Sequence, residues 1–186
     1  MGRVSQAQAE ENRRRVVDTA SRLFREQGTQ VSVADLMKAA GLTHGAFYKQ
    51  FTSKEALVDE ATAHAFTELA QRYNAGLERH DGEHAAAQRA LVDTYLSVQH
   101  RDDPADGCPV AALATDIARE GGEREARRVY TEGVADFADF LATDDQDGIL
   151  RLCTLFGALV LSRATKGSPL SEEILSTAHA ALTEAG

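Results

Sequence analysis

Between Val33 and Lys54 the chain reads VADLMKAAGLTHGAFYKQFTSK, two short helical stretches joined through Ala40-Gly41-Leu42-Thr43. Few arrangements satisfy that pattern. Gly41 permits the positive φ that a tight interhelical turn demands. Ala39 and Ala40 are small enough for the two helices to approach closely, and Leu42 can tuck its side chain between them. Helix pairs joined by so short a turn cross steeply, so the second one protrudes. Ser32 is placed to cap the first helix, residues 33–40, and Thr43 to cap the second, residues 44–50. Phe47 and Phe51 stand four residues apart and face inward together.

A protruding helix of this size fits the major groove of DNA. Thr43, His44, Gly45 and Ala46 form its N-terminal turn, the part that meets base edges in helix-turn-helix docking. Gly45 lets the backbone come close. Tyr48 and Lys49 point outward, toward phosphate oxygens. Lys54 adds a charge at the start of the following helix, where backbone N–H groups already favour an anion. Arg13-Arg14-Arg15 is a further candidate for phosphate contact, although a charge run is more often a solvated face.

The net charge of −9 looks wrong for a nucleic-acid binder until it is divided. Residues 1–55 carry nine Lys/Arg against six Asp/Glu, a surplus of +3, and the remainder carries 11 against 23, a deficit of −12. A mildly basic head can meet phosphate while an acidic body stays clear of it.

Gly41-Leu42-Thr43-His44-Gly45-Ala46-Phe47-Tyr48-Lys49-Gln50-Phe51, followed by Ser53-Lys54-Glu55-Ala56-Leu57, resembles the signature of the TetR/AcrR repressors. Ala20, Leu23, Phe24 and Gly28 match the first helix of that family in the same way. The resemblance covers residues 10–60 and implies an all-α fold. It places Thr43, His44, Gly45 and Ala46 where the family reads bases, Tyr48, Lys49 and Lys54 where it grips phosphate, and Ser32 and Val33 near DNA. It departs at Gln50, commonly His, and at His44, frequently Lys, Arg or Pro, which bears on the operator sequence. It also implies a homodimer built from the last two helices of each subunit, double-stranded operator DNA as partner, and a small-molecule effector.

The rest of the chain fits this expectation. Apolar residues recur at helical spacing, and about nine helices are expected: residues 6–27, 33–40, 44–50, one from 54 to 73 or later, 83–99, 109–120, 123–142, 145–164 and 171–184. Breaks are expected at 102–107, 121–122, 143–145 and 166–169. Residues 1–55 would form the DNA-binding head and 56–186 a sensing and dimerising bundle. Residues 149–161 are almost apolar all round, so that helix needs cover on more than one side, and Ile174, Leu175, Ala178, Ala181 and Leu182 supply a second stripe.

Phe66, Tyr95, Cys108, Ile117, Tyr130 and Phe156, with Tyr73 and Phe137, are candidate linings of an effector pocket, since pockets in bundles lie between helices. Cys108 precedes Pro109, which suits the first turn of a helix. A thiol at a helix N-cap is expected to be acidic and reactive, so it is either a sensor of electrophiles or oxidants or a plain corner residue. Cys153 belongs in the core. His80 and His84 have a metal-compatible spacing, but Gly82 between them favours a loop. The acids Asp144, Asp145 and Asp147 complement a helix N-terminus. No phosphate loop, metal cluster or nucleophile motif points to an enzyme, a catalytic residue or a cofactor. No apolar run is long enough to span a membrane or to form a signal peptide, so a cytoplasmic location is expected.

Overall fold

The computed structural model of the chain describes residues 6–120 and 124–183. Among these residues there are nine α-helices, one 3₁₀ segment and no strand. α1 spans Gln6–Gln27 and α2 spans Val33–Ala39. The 3₁₀ segment is His44–Lys49, and α3 runs through Lys54–Arg79. Then follow α4 (His84–Tyr95), α5 (Val98–Asp102), α6 (Pro109–Arg119), α7 (Glu125–Leu141), α8 (Gly148–Ala164) and α9 (Pro169–Thr183).

Local chemistry sets these boundaries. Gly28 ends α1 at φ +82° and Gly41 turns the chain at φ +68°, both in the region glycine enters without steric cost. The Ser32 hydroxyl accepts the Asp35 N–H at 3.1 Å and donates to the Asp35 carboxylate at 2.6 Å. Ser53 caps α3 by accepting from Ala56, and Asp147 caps α8 by accepting from Ile149 and Leu150. Each such cap contributes about 1 kcal/mol.

Three expectations are corrected. Residues 44–49 form a 3₁₀ segment, not an α-helix, since HGAFYK is a short, glycine-containing stretch that does not propagate a longer helix. Residues 83–99 form two helices: α4 stops at Tyr95, and Ser97 caps α5 by accepting from His100. Cys153 is exposed on α8, where its neighbours Ile149 and Leu150 also face outward. The break at 121–122, the helix start at Glu123 and the helix end at Glu184 lie outside the described residues.

Two apolar clusters hold the helices. The first joins Phe24 of α1, Leu36 and Met37 of α2, Phe47, Phe51 and Leu57, and it also takes Leu113 and Ile117 from α6. The second joins Phe66 and Leu69 of α3 to Val92, Phe137, Leu155 and Leu159. Each fully buried side chain of this size stabilises by about 1.5–3 kcal/mol. Tyr130 packs against both clusters, and α3 contributes to both.

The corner between α7 and α8 tolerates no side chain. A Cβ on Gly148 would run into the backbone carbonyl of Ala138 and meet the Ala142 nitrogen at 3.0 Å. Backbone atoms cannot swing aside as a side-chain tip can. Gly148→Ala should therefore destabilise by about 1–3 kcal/mol despite alanine's better helix propensity, which thermal denaturation followed by circular dichroism would measure.

Candidate functional site

The residues expected to meet DNA form one exposed stretch. Ser32, Thr43, His44, Gly45, Tyr48 and Lys49 are exposed, and Val33, Ala46 and Lys54 are half-buried. Tyr48 is 65% exposed, while its neighbour Phe47 is fully buried. Phe47 stacks on Phe51 with ring centroids 5.4 Å apart, and Tyr48 meets Phe47 edge-on at 5.1 Å and His44 at 5.8 Å. The buried phenylalanines thus anchor a turn whose polar side chains face solvent. Because Thr43 makes no side-chain cap bond, its hydroxyl remains available for an outside partner.

Arg13 does not belong to that outward surface. Its guanidinium donates to the Gln50 carbonyl and to the Glu60 carboxylate, and it lies 4.3 Å from the centre of the Phe51 ring. One side chain therefore ties α1 to the end of the 3₁₀ segment and to α3. Arg14 pairs with Glu11, and Arg15 donates to Asn12 at 3.1 Å, both on the surface. The planar fork of arginine suits the Arg13 position better than an ammonium would.

A cavity of about 520 Å³ opens between α3, α4, α5 and α7. Tyr95 and Cys108 line it, together with Tyr73 and Phe137. Other candidate linings fall elsewhere. Phe66 lines a separate cleft beside α7. Ile117 packs in the first cluster, Phe156 packs against the second, and Tyr130 spends its hydroxyl on the Val110 carbonyl at 2.7 Å. Sequence reasoning missed the basic groups of the cavity: Arg72, Arg79, His80 and His100. A signal was present, since Leu69, Arg72, Gly76 and Arg79 repeat at three- and four-residue steps on one face of α3.

Pro109 does begin α6 with Cys108 as its N-cap, but the thiol makes no capping hydrogen bond. Cys108 is only 3% exposed. Burial pushes its pKa above the ordinary thiol value, outweighing the Tyr95 hydroxyl and the backbone N–H groups of Ala111 and Val110, which pull the other way. The acidic thiol expected at this corner is thus corrected. Burial likewise lowers the His100 pKa. Its Nδ1 donates to the Tyr95 carbonyl at 2.7 Å, because a carbonyl can only accept.

Two loop regions tie the cavity wall to the head. Arg25, whose side chain is 1% exposed, donates to the Glu68 carboxylate at 2.8 Å and to the Gly107 carbonyl at 3.3 Å. Arg22 pairs with Asp106, whose carbonyl also accepts from Arg72 at 2.5 Å. The Thr29 N–H donates to Asp116 of α6 at 2.7 Å.

Two outcomes check this geometry. Arg13→Ala removes a link of about 1 kcal/mol and should lower the melting temperature by about 2–4 °C, with Arg13→Lys recovering only part of it. In a Cys153→Ser background, Cys108 should be alkylated more slowly at neutral pH than glutathione, because the thiolate is disfavoured. Its rate should climb only as the pH rises past the ordinary thiol range.

Residues 16–61 match the profile of bacterial regulatory proteins of the tetR family. The head is similar to the HTH-type transcriptional regulator AcrR of Shigella flexneri, at 41% identity over 61 residues, 32% of this chain and 28% of that protein. An uncharacterized HTH-type transcriptional regulator of Mycobacterium tuberculosis is 27% identical over 173 residues, 83% of this chain and 85% of its own. Among solved structures, reduced Escherichia coli NemR superposes with a TM-score of 0.77 at 18% identity, over 94% of this chain and 96% of that one. AibR, solved in complex with isovaleryl coenzyme A and operator DNA, gives a TM-score of 0.63 at 16% identity, over 91% and 97%. The signature in the head and the helical fold throughout agree: residues 16–61 form a head of the tetR family of bacterial regulatory proteins, on a chain that folds throughout like TetR-family regulators of known structure.

Proposed function

We propose that this regulator acts as a dimeric, effector-released repressor. It binds a palindromic operator and leaves it when a small molecule fills the cavity beside α3. The division of labour is head, residues 1–55, for DNA and bundle, residues 56–186, for sensing and pairing. Ser32, Val33, Thr43, His44, Gly45 and Ala46 lie against the groove, and Tyr48, Lys49 and Lys54 hold phosphates. The observation that carries this is the exposed polar turn over buried Phe47 and Phe51. Lys49 is exposed and makes no hydrogen bond or ion pair among the described residues, which leaves its ammonium free for a partner outside.

A single head reads few bases, and two heads on a two-fold axis read a palindrome. The surface supports that pairing. Ile149, Leu150, Val160 and Leu161 of α8 and Leu170 in the first turn of α9 are 38–65% exposed. They stand among the few large apolar side chains left in water on the described residues. Cys153 and Gly157 share the α8 face, and nothing lies within 4 Å of a Cβ built on Gly157, which leaves room for a close partner helix. A contiguous apolar face of this kind marks an interface.

Release follows from a population shift: the effector favours a form whose heads no longer match the operator spacing. The ties from Arg22, Arg25 and Arg72 to residues 106–107 offer the physical link between cavity and head. AibR, of similar fold, is a protein seen with both operator DNA and an acyl coenzyme A. No described helix is long and apolar enough to cross a membrane, in keeping with a DNA-binding role.

The test is a gel-shift titration against DNA upstream of the gene itself. Affinity should fall steeply with salt, and Lys49→Ala should reduce the log–log salt slope by about 1. Leu150→Glu with Leu161→Glu should give a monomer by light scattering and abolish high-affinity binding. Salt-independent binding, or a dimer that survives both charges, would refute the assignment.

A further inference from the structure

The cavity beside α3 carries more information than its size. Its walls are largely apolar, built from Leu69, Tyr73, Leu91 and Phe137 among others. Arg72, Arg79, His80 and His100 also line it, and no Asp or Glu does. Arg72 is partly engaged by the Asp106 carbonyl. Arg79 is exposed and makes no hydrogen bond or ion pair among the described residues. Its guanidinium is therefore free for a partner beside an apolar wall.

One further observation points to an occupant. Gly76 stands between Arg72 and Arg79 on α3, and a Cβ there would meet nothing within 4 Å. Glycine in a helix interior costs about 1 kcal/mol relative to alanine. Here it leaves bare backbone against which a flat or chain-like body can lie.

We propose that the effector is a small amphiphilic carboxylic acid. Its apolar body fills the cavity over Gly76, against Tyr73, Tyr95 and Phe137, and its carboxylate sits at the mouth against Arg79 with help from Arg72. Apolar walls alone would take any hydrophobe of the right size. The unpaired guanidinium selects the ionised acid over its neutral counterpart through a charge-assisted hydrogen bond. The assignment rests on the effector role proposed for the cavity.

The test pairs each acid with its neutral amide: 4-phenylbutyrate, octanoate and 2-naphthoate against the three amides, by calorimetry on the full-length protein and by release from operator DNA. At low salt the best acid should bind about tenfold more tightly than its amide, and the difference should shrink as salt screens the exposed guanidinium. Arg79→Gln should erase the preference while leaving amide binding unchanged. Gly76→Leu should block both. Amides that bind and release DNA as well as the acids, through a cavity that Gly76→Leu still blocks, overturn the carboxylate assignment and leave the effector role standing. Failure of every acid to bind overturns the carboxylate assignment, and binding or release that survives Gly76→Leu overturns both. An acid preference that persists in Arg79→Gln overturns the role of that residue and with it the proposal.

Discussion

The buried guanidinium of Arg25 is the contact on which the arrangement of head and bundle depends. It rises from α1, bonds the Ser21 carbonyl of its own helix, and reaches Glu68 on α3 and Gly107 in the loop before α6. Burial lowers its pKa, and the Glu68 carboxylate offsets that. A charge taken out of water is tolerated only when it is paired and its donors are used. Three segments far apart in sequence must therefore arrive together, or the ion is stranded. Apolar packing sets how closely α1, α3 and α6 lie, but it is indifferent to small rotations. A forked donor with three fixed acceptors is not.

Much of the head was legible in the sequence because its signals are local. Gly41, Ser32 and the Phe47–Phe51 pair act within a few residues of themselves, so their roles follow from spacing. The resemblance to the family added which of the exposed residues to propose for DNA contact. The 3₁₀ character of residues 44–49 was hidden, since six residues are too few for spacing to separate i+3 from i+4 bonding. The split between α4 and α5 was hidden for a similar reason: Ser97 reads as an ordinary helix residue until its hydroxyl is seen accepting from His100.

The cavity was the least legible part. Aromatic residues were sensible candidates, yet Tyr130 spends its hydroxyl on a backbone carbonyl and Ile117 fills the other cluster. Nothing in their sequence neighbourhoods distinguishes them from Tyr95. Whether a residue faces a void is decided by which helices fail to meet, a long-range property. Cys108 teaches the same lesson in electrostatics. An N-cap position favours the thiolate, but the surrounding bundle removes water, and desolvation outweighs the helix terminus. Cys153 errs in the opposite direction: an apolar helix was read as buried, and its outward face is left uncovered by its own chain.

α3 is an unbroken rod of 26 residues that begins at the turn proposed to face DNA and ends beside the cavity. At 1.5 Å per residue it is about 39 Å long, and its Ser53 cap couples its first turn to the chain leaving the 3₁₀ segment. A rod of that length is a lever arm. Tilting it by about 5° at the cavity end carries the other end through about 3 Å, close to one base-pair rise. In the proposed dimer, two heads moving in opposite senses would double the error in their separation. On that proposal, a ligand would need only to wedge one wall of the bundle by an ångström or so for the pair to lose its register on the duplex.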